Sequence, residues 1–109
     1  MGSVENSIRQ ILFHDEDNAF CCNLLLKIIF DESLEDWRWK QDLCLEIMRS
    51  QKDPDLCGLA VTCLGHIVRI HERIDKETVI RELRLLEDKP YISCRIEDAI
   101  SDIDMFVKK

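Results

Sequence analysis

Glycine is scarce in this 109-residue chain, with only Gly2, Gly58 and Gly65, and there are two prolines, Pro54 and Pro90. So few turn-forming residues, together with the lack of any period-two alternation of apolar and polar positions, argue against hairpins and sheets and leave an all-α chain. No apolar run approaches the ~20 residues that a membrane-spanning helix requires. The first residues, MGSVENS, lack a basic stretch followed by an apolar one, and the expectation is a cytoplasmic protein without a secretion signal. Gly2 raises N-myristoylation, but that signal wants Ser or Thr where this chain has Asn6, and it is rejected.

Basic charge is also in deficit. With 22 acidic against 15 basic residues the net charge is -7, which disfavours direct binding to nucleic acid or to an anionic membrane and favours a basic protein partner. Missing too are the CxxC pairs of a zinc site. His14, His66 and His71 do not stand at ligand spacing to the cysteines, so neither a metal nor a cofactor is expected. The six cysteines, Cys21, Cys22, Cys44, Cys57, Cys63 and Cys94, are even in number and fall in predicted helices. Without a secretion signal they read as reduced, small apolar packing groups. His66 follows Cys63 by three residues on one helix, but no Gly-rich turn or orienting third group accompanies them, and no enzyme is expected.

What is present is helical periodicity. The stretch DPDLCGLAVTCLGHIVRIH, from Asp53 to His71, is the densest apolar segment. An Asp followed by Pro suits a helix start. Leu56, Leu59, Ala60, Cys63, Leu64, Ile67, Val68 and Ile70 cover a broad arc, leaving a narrow polar remainder of Thr62, Arg69 and Glu72 with Gly58 and Gly65 between. Such a helix needs covering on more than one side.

Around it, Ser3 is read as the cap of a first helix ending near His14 with Val4, Ile8, Ile11 and Leu12 on one side. Asp15, Glu16 and Asp17 start a second, running to Ile29. Ser33 and Asp36, at capping-box spacing, start a third, with Trp37, Leu43, Cys44, Ile47 and Met48 inward, Trp39 at the boundary, and Glu35, Arg38, Asp42, Glu46 and Arg49 outward. Asp75 caps a fifth with Val79, Ile80, Leu83 and Leu86. Pro90 opens a sixth with Ile92, Ile96, Ala99, Ile100, Ile103, Phe106 and Val107. A shift of 38 residues lays Cys21 on Leu59, Leu25 on Cys63 and Ile29 on Ile67, and a shift of 36 lays Leu56 on Ile92, Ala60 on Ile96 and Ile67 on Ile103. Self-similarity at that period is what solenoids of HEAT type show, an antiparallel bundle being the alternative. The expected architecture is therefore a single all-α domain, a short right-handed solenoid of HEAT-like helix pairs with about six helices. Its parts are a capping helix over 1–14, one repeat over 15–51, a second over 52–87, and a half repeat with a C-terminal cap over 88–109.

The charge is uneven: residues 1–55 carry 12 acidic and 6 basic groups, and residues 56–109 carry 10 and 9. Asp31, Glu32, Glu35 and Asp36 make an acidic turn that Asp42 and Glu46 prolong beside Trp39. An aromatic in an acidic patch is a candidate anchor for a basic partner; the other reading is a solvated helix face with acids well placed at an N-terminus. Further acidic edges lie at Asp15 to Asp17 and at Asp98 and Asp102, where Arg95 is near enough to pair with either.

The run CGLAVTCLGHIVRIH followed by IDKETVIRELRLLED resembles small bacterial HEAT-like proteins, among them immunity proteins of polymorphic toxin systems of the contact-dependent inhibition and Maf types. The likeness spans about residues 53 to 107. It implies a cytoplasmic immunity protein that binds and neutralises one toxin domain, many such toxins being nucleases with basic clefts. A ribonuclease blocked by the acidic face is the expectation, with a HEAT-like scaffold or adaptor as the alternative and a thiol enzyme or sensor as a distant third. No family-wide binding motif accompanies the resemblance. A homodimer is compatible with the pattern but not indicated by it.

Overall fold

A computed structural model describes residues 2–31, 33, 36–50 and 53–107, without the side chains of residues 2–7. Among the described residues there are six helices and no strand: α1 (Gly2–His14), α2 (Asn18–Ile29), α3 (Trp37–Ser50), α4 (Pro54–His71), α5 (Lys76–Leu85) and α6 (Ser93–Phe106). None is long and apolar enough to cross a membrane.

The caps explain most of the boundaries. Asp17 accepts the N–H of Phe20 at 3.1 Å, Asp53 that of Leu56 at 3.0 Å, and Asp75 that of Thr78 at 3.4 Å, each carboxylate satisfying a donor that the first helical turn leaves open. Two predicted starts are displaced. Helix α3 begins at Trp37 rather than Ser33, because the N–H and hydroxyl of Ser33 are both donated to Asp31, so that Asp36 becomes the cap and accepts the Trp39 N–H at 3.1 Å. Helix α6 begins at Ser93 rather than Pro90: Lys89 and Ile92 donate to the carbonyls three residues earlier, at 3.0 and 3.2 Å, and helical bonding starts only with Ile96 to Ile92 at 2.9 Å. The predicted Ser3 cap lies among the side chains outside the description.

Helix α4, about 27 Å long at 1.5 Å per residue, is the axis of the molecule. It packs on α6 and α3 most extensively and on α2 next, while α1 touches α2 and α3, and α5 touches α6. The result is a slab of 33 × 31 × 18 Å, two helices thick. Ten of the residues of α4 are buried, including Cys57, Ala60, Cys63, Leu64 and Ile67 at 0% exposure, as a helix covered from three directions must be. Ile70, expected on the apolar arc, is instead 46% exposed, since it sits in the last turn beyond the reach of the neighbours. The helix ends at Glu72 in the left-handed region, φ 55°, ψ 27°, where its N–H reaches the Val68 carbonyl at 2.8 Å. Burial repeats along the chain at the 36-residue shift: Leu56 with Ile92, Ala60 with Ile96 and Ile67 with Ile103 are buried at both positions.

All six cysteines are free thiols within helices, four of them buried and Cys94 exposed. Cys44 hydrogen-bonds Cys63 across the α3–α4 contact, and that bond together with burial pushes the Cys44 thiol well above the usual range. Both act as packing groups, and Cys63 faces away from solvent despite its closeness in sequence to His66.

Candidate functional site

Asp31, where the acidic segment begins after α2, rests on a buried cation. Lys40 is 1% exposed, and its ammonium donates to the carbonyls of Ile29 at 3.0 Å and Asp31 at 3.4 Å, with His71 Nε2 of α4 at 3.4 Å. Ile29 is the last residue of α2, so the ammonium occupies the negative end of that helix and satisfies carbonyls that the helix cannot. Burial holds the Lys40 amine below its usual range, against a smaller opposing pull from Asp31.

Above this anchor, Asp31 Oδ1 accepts the Ser33 hydroxyl at 2.6 Å and N–H at 2.9 Å, and these bonds hold its carboxyl below the ordinary value. Asp31, Asp36 and Asp42 are exposed. Asp42 takes a 3.2 Å bond from Gln41 Nε2. Glu46 is turned toward α1, where it is paired with Arg9, so its charge is largely matched within the chain. Glu32 and Glu35 lie outside the described residues. Trp39 is half-buried with part of its ring against the core. Trp37, expected to point inward, is also only half-buried, with the Arg38 guanidinium 5.0 Å above its ring. The two tryptophans flank the first turn of α3, and burial does not separate them as the helical wheel had.

Sequence reasoning missed Lys40 and Gln41. The signal was there for Lys40, which precedes Leu43, Cys44 and Ile47 by three, four and seven residues and so shares their inward arc. Gln41, 1% exposed, accepts the Asp75 N–H at 2.6 Å and so fixes the start of α5 against α3.

A second polar region lies between α4 and α6. Gly58 and Gly65 are buried there because α6 lays side chains where their Cβ atoms would be: 3.1 Å from Arg95 Nε at Gly58 and 2.7 Å from Asp102 Oδ2 at Gly65. Asp102 accepts from Arg69 at 3.0 Å, and Arg95 donates to the Thr62 hydroxyl at 2.8 Å. The sequence expectation that Arg95 pairs with Asp98 or Asp102 is thus replaced by bonds across the helix contact, the glycines having let α6 come close enough for them. His66 packs against Phe30, ring centroids 4.8 Å apart. Its imidazole is held below the ordinary value by burial and by Arg69, with Asp102 opposing.

Among the described residues no group of three or more His, Cys, Asp or Glu side chains stands at metal-ligating spacing. Compared with protein-family models, curated proteins and solved structures, the chain matches none.

Proposed function

We propose that this chain is a stoichiometric protein inhibitor, an immunity protein whose acidic α2–α3 face covers the basic substrate surface of a toxin domain; the resemblance of residues 53 to 107 supports a nuclease, and a ribonuclease is the expected target. The observation that carries the reading is the grouping of the exposed carboxylates of Asp31, Asp36 and Asp42 with half-buried Trp39 around the start of α3. An aromatic with one side fixed in the core and the other at the surface loses little side-chain freedom on binding, and unmatched carboxylates around it accelerate encounter with a cationic surface. Lys40 and Ser33 hold Asp31 in place beforehand, which lowers the ordering cost of association at that carboxylate.

The HEAT-like arrangement belongs to the same proposal. It is supported by α4 lying against both α2 and α6, by the α1 to α3 contact, by the 18 Å thickness and by burial repeating at the 36-residue shift. In a right-handed solenoid α2, α4 and α6 form one layer and α1, α3 and α5 the other, with Trp39 and Asp42 on the second.

The test is titration of the chain into the protein encoded by the adjacent gene, with RNA cleavage as readout. Stoichiometric loss of cleavage is expected. Trp39→Ala is expected to weaken the complex by at least ~2 kcal/mol, and Asp42→Lys to slow association and flatten its salt dependence. Binding without inhibition would point to a HEAT-like adaptor instead. Inhibition unaltered by either substitution, in variants shown by circular dichroism to be folded, would remove this face from the proposal.

A further inference from the structure

Beside the buried Ile96, Ala99 and Ile103, the α4–α6 contact has a polar margin. Gly58, Thr62, Gly65 and Arg69 recur along one side of α4, and α6 meets them with Arg95, Asp98 and Asp102. Between them is an open groove of about 400 Å³ bounded by these side chains and His66. Its charges are not equivalent. Asp102 is committed to Arg69, whose guanidinium also lies 5.9 Å over the Phe106 ring. Arg95 is oriented by a neutral hydroxyl, with its stem in the notch over Gly58, so that bond fixes the guanidinium without cancelling its charge. The His66 ring makes no hydrogen bond to the described residues, which leaves its nitrogens for the groove. One turn along α6 from Arg95, the exposed carboxylate of Asp98 completes the rim.

We propose that this groove is a binding site for a small amphoteric molecule, its carboxylate or phosphate group received by Arg95 and His66 and its ammonium by Asp98. A planar guanidinium already held in place is suited to an oxyanion, because little of its side-chain freedom is left to lose. Asp98 supplies the discrimination: it repels a purely anionic ligand and attracts one that brings a cation beside its anion. The proposal does not depend on the inhibitor reading.

Phosphoethanolamine and inorganic phosphate serve as probes, followed through the His66 ring signals by NMR at fixed ionic strength. Phosphoethanolamine is expected to shift them saturably, more tightly than phosphate does, and to raise the pH at which His66 titrates, since a bound anion offsets the field of Arg69. The groups around that ring are Arg69, Arg95, Asp98 and Asp102 from α4 and α6, with uncharged Phe30, the residue that follows α2. Arg95→Gln is expected to weaken phosphoethanolamine at least tenfold. Asp98→Asn is expected to weaken it while leaving phosphate binding equal or tighter. Arg95 and Asp98 are exposed, so both variants are expected to fold, which circular dichroism checks. Shifts that do not saturate, or that persist in Arg95→Gln, overturn the site; equal response of Asp98→Asn and the parent to both probes overturns its amphoteric preference.

Discussion

Replacing Lys40 by Met tests whether the buried ammonium stabilises the fold. Methionine keeps nearly the length and volume of the lysine stem and removes only the charged end, so the change isolates the bonds to Ile29, Asp31 and His71. Two effects compete. Loss of the ammonium relieves the cost of burying a charge, and it leaves the Ile29 carbonyl at the end of α2 without a donor. A buried acceptor left open costs about 1–3 kcal/mol, and hydrogen bonds to a charged group contribute at the upper end of the usual range. The carbonyls lie at the negative end of the α2 dipole, which adds a further attraction. We expect Lys40→Met to cost about 2 kcal/mol, a fall in Tm of roughly 10 °C for a domain of this size. Lys40→Ala removes about three more side-chain atoms from a site that is 1% exposed, adding roughly 2 kcal/mol at ~0.8 kcal/mol per methylene. Urea titrations of the parent and both variants supply the comparison. Because the folded-state pKa of Lys40 is depressed, the unfolded chain binds more protons between that value and 10.5, so the parent gains stability as pH rises through that window. Lys40→Met lacks this gain, and the gap between the two should widen toward alkaline pH. A Met variant as stable as the parent at pH 7 would mean that desolvation outweighs the bonds, as happens for some buried charges, whereas a gap that narrows with pH would mean that the folded state holds the Lys40 proton more tightly than the unfolded chain does and would refute the depressed pKa.

Glu72→Gly should stabilise the chain by about 0.5–1 kcal/mol, read as a higher urea midpoint, because glycine tolerates the left-handed cap that strains glutamate and the gain is partly offset by unfolded-state entropy. His66 has a folded-state pKa below 6.5, so its contribution favours folding at neutral pH and is progressively lost as pH falls through the window between 6.5 and the folded value; His66→Gln should flatten the stability profile across that interval in thermal melts. Trp37→Ala and Trp39→Ala should each cost about 2 kcal/mol, roughly half the loss for a fully buried aromatic, since both rings are half-buried; only Trp39→Ala is expected to impair binding of a basic partner.

The helices were legible because their determinants are local. Asp17, Asp53 and Asp75 announce helix starts through side chains acting three residues away, and apolar spacing alone marks Leu56, Ala60, Cys63, Leu64 and Ile67 as core. Ser33 and Pro90 misled for the same local reason. A capping box and an N-terminal proline state what a helix can use, but Asp31 had already taken the N–H and hydroxyl of Ser33, and tight turns through Lys89 and Ile92 delayed α6. At the candidate face, composition identified the acidic turn, yet it could not tell that Glu46 is matched by Arg9 from a helix 37 residues away.

The glycines of α4 show why the second polar region could not be read in advance. On a helical wheel Gly58, Thr62, Gly65 and Arg69 look like the solvent side of a buried helix, since nothing in their own chemistry asks to be covered. Glycine inside a helix costs about 1 kcal/mol relative to alanine, so two of them seven residues apart need a reason from elsewhere. That reason is α6, whose Arg95 and Asp102 fill the space of both missing Cβ atoms. The consequence separates the two positions. At Gly65 an added Cβ stands 2.7 Å from Asp102 Oδ2, so alanine must rotate the carboxylate away from Arg69 and lose an exposed ion pair of about 0.2–1 kcal/mol, which cancels much of the helix-propensity gain. At Gly58 the nearest atoms, 3.1 to 3.5 Å away, belong to the flexible stem of Arg95 and a methyl of Ile92, which can give by a few tenths of an ångström, so more of that gain survives. Gly58→Ala should therefore be the more stable of the two variants, while disturbing the placement of Arg95 over the groove. Thermal melts rank the pair, and a Gly65→Ala protein more stable than Gly58→Ala would show that α6 does not lie on α4 as closely as these side chains require.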